Sequence, residues 1–227
     1  MKNILVMIKK QLLDTFKNKT ILIQFVMFPV LTLVMENAIN IADMPEHFFI
    51  KLFSVMYIGM APITSVSAII SEEKEKNTLR VLMMADVRPR EYLTGVGIYV
   101  WSICMIGALV MSTGLEREDV PFYLCIMALG FVISILMGAC IGIISKGQMN
   151  ATGIVVPVMM IFSFAPMLAM FNDKIEKAAR FLYTWQIKQV LDNMSFKTPG
   201  HGMLFMAANA VIFLVIFATM YGKKGLE

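Results

Sequence analysis

Apolar residues in this chain come in long runs separated by short islands of charge. Six of these runs are long enough to cross a bilayer, lying at about 20–42, 48–70, 92–113, 121–144, 151–171 and 202–221. A span needs about 20 apolar residues, because the hydrocarbon layer is ~30 Å thick and a helix rises about 1.5 Å per residue. In lipid a helix satisfies its own backbone hydrogen bonds, so the pattern predicts an all-α integral membrane protein. The whole chain, 1–227, reads as one transmembrane domain with no soluble unit.

Residues 2–19 show a different period. Ile4, Leu5, Ile8, Leu12 and Phe16 recur at helical spacing, with Lys2, Lys9, Lys10, Asp14 and Lys17 on the other side. A basic amphipathic helix of this kind is expected to lie in the membrane interface. Residues 71–91, between spans two and three, are rich in charge, and 172–201, between spans five and six, carry charges and apolar residues at helical spacing. In the latter, Ile175, Ala179, Leu182, Trp185 and Gln186 predict one or two helices outside the spans, with Tyr183 and Trp185 as interface anchors.

Composition agrees: 58% of residues are hydrophobic and 16% charged, with a mean hydropathy of +0.73. The net charge of +4 bears on orientation in a bilayer and gives no reason to expect nucleic-acid binding. With the N-terminus inside, cytoplasmic segments hold 13 Lys and Arg against 7 outside, which predicts a multi-pass plasma-membrane protein with both termini cytoplasmic. The start, Met-Lys-Asn, lacks the pattern of a cleavable signal peptide. Cys104, Cys125 and Cys140 all fall within apolar runs, as packing residues rather than a disulfide framework.

No motif supplies chemistry. The nearest approach to a phosphate-binding loop is Gly142 to Met149, in which Gln148 stands where the required lysine would reach the nucleotide. Glu72-Glu73 is followed at the spacing of a Glu-Glu-x-x-x-Arg protease motif by Asn77, and the histidines, His47 and His201, sit at span ends. The chain is therefore expected not to be an enzyme and to hold no metal.

Other features point to transport. Gln24, Phe28, Thr32, Glu36, Asn40 and Asp43 form a stripe on span one that grows polar outward. Glu36 either lines a pathway near an outer gate or lies close enough to the surface to be solvated. Phe25, Phe28, Thr32, Met35, Met56, Met60, Met159 and Met160 are candidate pathway residues, drawn from 22 methionines and 16 phenylalanines, against lipid-facing or core roles for most of them. Ser134, Gly138 and Gly142 form a small-residue ridge for close helix packing, within one subunit or between two. Pro29, Pro62, Pro157 and Pro166 can bend their helices.

The island from Ser71 to Met84 predicts a short amphipathic cytoplasmic helix with Leu79, Leu82 and Met83 on one face, ended by Pro89. It is either a docking element for a cytosolic partner or a solvated connector. Its order of features, Glu72, Glu73 and Glu75, then Thr78-Leu79, then Val87-Arg88-Pro89 and Tyr92-Leu93-Thr94-Gly95, resembles the corresponding stretch of ABC-2-type transporter permeases, the type V exporter fold. The interface helix, six spans and outer helical segment extend the resemblance over essentially the whole chain. Asn77 and Val96 depart from the glycine and lysine common in that family, which puts local contacts in question.

The resemblance implies a permease that couples through Glu72, Glu73, Glu75, Thr78, Leu79 and Arg80 to a separate ATP-binding cassette subunit, present in two copies, which binds ATP and Mg. It further implies a second permease chain, the same or homologous, and a pathway formed mainly by spans one, two and five. The family exports peptides, drugs, lipids and glycans. The apolar interior suggests a hydrophobic or amphipathic cargo here, best represented by a toxic or antimicrobial peptide. A non-transporting scaffold, immunity or receptor protein is the competing class.

Overall fold

The computed structural model describes residues 2–17, 19–39, 45–85, 87–193 and 202–224. Of the positions singled out above, Asn40, Asp43 and His201 lie outside the described residues, as do the side chains of Lys2, Phe16 and Lys17. The elements run α1 (Lys2–Lys17), α2 (Lys19–Ala38), α3 (Phe48–Glu75), α4 (Thr78–Met84), α5 (Pro89–Met111), a 3-10 turn (Ser112–Gly114), α6 (Val120–Ile144), α7 (Gln148–Leu168), α8 (Asp173–Ala179), α9 (Tyr183–Asn193) and α10 (Gly202–Lys224). There is no strand among the described residues. Six helices, namely α2, α3, α5, α6, α7 and α10, are long and apolar enough to cross a membrane.

Helix α3 is the axis of the bundle. It packs against α2, α5, α6, α7 and α9, and is buried along most of its length. Small residues make these close crossings possible, because helices in lipid gain from tight van der Waals contact rather than from apolar burial. A Cβ on Gly59 would lie 2.8 Å from the backbone of Phe162 in α7, and one on Gly138 would lie 2.7 Å from the Ile63 carbonyl oxygen of α3. Polar groups buried between helices find partners. Ser134 donates to the Ile58 carbonyl at 2.7 Å and lies 2.8 Å from the Tyr183 hydroxyl, which can donate to it. Ser54 and Tyr123 hydroxyls meet at 2.6 Å, and Thr64 donates to Gln24 at 2.8 Å. By contrast α2, α5, α7 and α10 leave aliphatic side chains such as Val26, Ile106, Ile161 and Val211 exposed, as lipid contact requires.

Three elements differ from the sequence expectation. The packed face of α1 is Met7, Gln11 and Thr15, buried against the bundle, while Leu5 and Leu12 are exposed. The helix is rotated so that its polar side meets a buried carboxylate, described below. Second, no single helix covers 71–84. Helix α3 runs on to Glu75, and Asn77 takes a left-handed conformation (φ 56°) that starts α4 on a new axis. Asn is one of the few non-glycine residues that tolerate this region, and it stands where the family's glycine was expected. Third, α9 packs into the bundle through the residues expected to anchor it at an interface. Tyr183 and Ile187 are fully buried, α9 packs on α3, α6, α7 and α10, and Trp185 sits against Ala169 and Ala179. Tyr183 and Trp185 therefore pack inside the chain instead of anchoring an interface.

Candidate functional site

The last turn of α3 carries Glu72, Glu73, Lys74 and Glu75 in succession, and a helix advances about 100° per residue. Neighbouring charges therefore leave the axis in different directions, and the structure gives three of them three different helices. Glu73, only 7% exposed, receives the Lys10 ammonium and, at 2.5 Å, the Gln11 amide, both from α1. Tyr92 of α5 faces the same carboxylate, and Lys10 also lies 3.6 Å from Asp14. Lys74 donates to the Ile143 carbonyl at 2.8 Å, at the C-terminal end of α6. Glu75 accepts from the Gln148 backbone N–H at 2.6 Å, at the first residue of α7. Both last contacts complement the helix dipole, a cation at a C-terminus and an anion at an N-terminus. Glu72 stays local, accepting from Lys76 at 2.5 Å, which raises the Lys76 ammonium above its ordinary pKa.

Helix α4 continues from this hub. Leu79 is buried and Leu82 and Met83 are half-buried against the core, so the apolar face expected to dock a partner is turned inward. The opposite face presents Arg80, Val81 and Met84, the last two 57% and 73% exposed. Thr78 is half-buried. Of the other five positions assigned to coupling, Arg80 points outward, Glu72 pairs locally with Lys76, the exposed Glu75 reaches across to the start of α7, and Glu73 and Leu79 are internal.

The candidate pathway residues separate into two groups. Phe25, Phe28 and Thr32 are buried on the face of α2 that packs on α3 and α5, with the Phe28 ring near those of Phe53 and Tyr57. Met56 is buried and Met60 half-buried on α3, where the Met56 carbonyl accepts from Ser163 of α7 at 3.3 Å. Met159 is half-buried on α7 and Met160 is exposed. Met35 is half-buried, and Glu36 is half-buried with a carboxylate oxygen 3.6 Å from His47 Nδ1. Ser134, Gly138 and Gly142 all pack on α3 of the same chain: Ser134 on Ile58, Gly138 on Ile63 and Gly142 on Ile70.

Sequence reasoning missed Lys10, Gln11, Lys74, Tyr92 and Gln148. Lys74 carried the one usable signal. Four consecutive charges at the end of a long apolar helix cannot share a face, so they must reach different neighbours.

Six membrane-length helices and a charged hub joining the end of α3 to α1, α6 and α7 define a multi-pass helical membrane protein. The family model described as ABC-2 family transporter protein matches residues 2–220. The chain belongs to that family, whose members are the membrane component of ABC transporters and not the ATPase. Membership implies a partner ATP-binding subunit. No curated protein matches the chain.

Proposed function

We propose that this chain is the permease subunit of an ATP-driven exporter of the type V fold, and that two such chains, or one with a homologous partner, enclose the pathway. ATP and Mg bind in two separate cytosolic subunits. Both chain termini lie in the cytoplasm of a plasma-membrane protein. The cargo is hydrophobic or amphipathic, with a toxic or antimicrobial peptide as the favoured class.

The hub carries this reading. A push on α4 moves the end of α3, and Glu73, Lys74 and Glu75 pass that movement to α1, α6 and α7 at once. The exposed Val81 and Met84 beside Arg80 are an unfilled contact of the kind a partner covers. ATP-driven closure of the cytosolic subunits then shifts the spans between inward- and outward-facing states.

Co-expression with the cognate ATP-binding subunit tests the proposal. Met84→Glu with Arg80→Glu is expected to weaken co-purification about tenfold, or ~1.4 kcal/mol, and to abolish the effect of this chain on ATP turnover. Undiminished co-purification and coupled turnover in the double variant would overturn it.

A further inference from the structure

At the end of the bundle opposite the hub, a cavity of about 300 Å³ opens between α2, the start of α3 and the 3-10 turn. Thr32, Glu36, Asn37, His47 and Thr113 give it polar walls, and Leu33, Ile50 and Met111 give it apolar ones. The space is kept open by Gly114, where a Cβ would lie 2.8 Å from Ile50 and 3.8 Å from Glu36. His47 is held in a left-handed conformation (φ 56°). This region is uncommon for a non-glycine residue, so the surrounding structure must impose it.

The polar groups of this cavity are lopsided. Thr32 commits its hydroxyl proton to the Phe28 carbonyl at 2.8 Å, and Thr113 commits its own to Val110 at 2.9 Å. Asn37 turns its amide nitrogen to the Leu33 carbonyl at 2.7 Å. His47 Nδ1 faces one Glu36 oxygen, and the other, Oε2, is buried with no partner among the described residues. What these side chains hold out to a ligand is therefore mostly oxygen lone pairs around one carboxylate, beside the second N–H of the Asn37 amide. A buried unpaired carboxylate oxygen is costly, and a group with only donors to offer relieves it.

We propose that this cavity binds the ammonium group of an alkylamine, with its first methylenes against Leu33, Ile50 and Met111. An ammonium has three N–H donors and no acceptor, the complement of this lining. One carboxylate balances one positive charge, whereas a divalent metal calls for a larger oxygen set. The inference rests on the transporter reading only for its purpose, as a site for cationic amphipathic cargo at one end of the bundle. Binding needs no turnover.

The test uses the purified full chain in nanodiscs of phosphatidylcholine and phosphatidylglycerol, with thermal unfolding as the readout. The probe is n-hexylammonium, fully charged at pH 7 because amines of this type titrate near ~10.4, with n-hexanol as its uncharged counterpart. The expected result is a rise of several degrees in Tm with hexylammonium and none with hexanol. The rise is lost in Glu36→Gln, and also in Gly114→Leu, which fills the cavity and keeps the carboxylate, so either variant decides if the other fails to fold. A rise retained in these variants, equal with hexanol, or absent in the unaltered chain overturns the proposal. A rise abolished by adding phosphatidylethanolamine to the nanodiscs would overturn the cargo assignment in favour of a lipid headgroup. None of these outcomes bears on ATPase coupling, so failure here leaves the permease reading intact.

Discussion

The Glu75 carboxylate accepts a hydrogen bond from the Gln148 backbone N–H at 2.6 Å, so the last residue of one membrane helix caps the first residue of another, 73 positions away in sequence. Helix N-termini leave backbone donors unsatisfied and carry partial positive charge, so an incoming carboxylate serves both needs. Glu75→Ala is expected to cost the first turn of α7 about 1 kcal/mol, read as roughly fivefold faster amide exchange at Gln148. Glu75→Gln, which keeps an acceptor without the charge, is expected to fall between the two. Unchanged exchange in Glu75→Ala would show that water replaces the cap at no cost.

Glu73 makes a stronger claim, because it is buried. Removing it leaves Lys10 and Gln11 without their shared acceptor, and Glu73→Ala is expected to destabilise the docking of α1 by about 1–3 kcal/mol. A double-mutant cycle with Lys10→Met isolates the pair from general damage to the helix. The expected coupling is about 1 kcal/mol or more, measured by thermal unfolding in nanodiscs, with α1 becoming a protease-sensitive site in the single variants. Additivity within about 0.3 kcal/mol would mean that the two side chains are neighbours without dependence.

Gly138 and Gly153 separate a packing glycine from a free one. A Cβ on Gly138 meets the Ile63 backbone carbonyl at 2.7 Å, whereas one on Gly153 meets nothing within 4 Å. Backbone cannot rotate away as a side-chain tip can. Gly138→Ala is expected to force α6 from α3 and destabilise by about 1–3 kcal/mol. Gly153→Ala is expected to be neutral or to stabilise by about 0.5–1 kcal/mol through helix propensity. Thermal unfolding of the two variants checks the contrast, and similar Tm values would remove the close α3–α6 crossing from the account.

Much of this architecture is visible in the sequence because lipid imposes a length rule. A run of about 20 apolar residues has few alternatives to a span, and six helices among the described residues are long and apolar enough to cross a membrane. The stretches that periodicity misplaces are those decided by partners. The face of α1 is set by Glu73, which lies 62 residues from Gln11, and apolar period alone favours Leu5 and Leu12. The break at Asn77 depends on one backbone conformation that Asn permits and does not require. In α9, Tyr183 and Trp185 have the amphipathic chemistry of interface residues, yet Ser134 supplies the Tyr183 hydroxyl with a partner inside the bundle. The charged cluster at the end of α3 was legible as a group, from charge following a span. Their division into internal ties and an outward face was not, because it depends on which neighbour each successive 100° step meets.

Under the proposed function, α4 and the end of α3 face the cytoplasm, where a cytosolic motor can reach them. Single cysteines at Arg80 and Met84, in a Cys125→Ser background because Cys125 is exposed while Cys104 and Cys140 are buried, can be probed with a membrane-impermeant maleimide. Cytoplasmic placement predicts no labelling on intact cells and full labelling after permeabilisation. Labelling of either position from outside intact cells would contradict it.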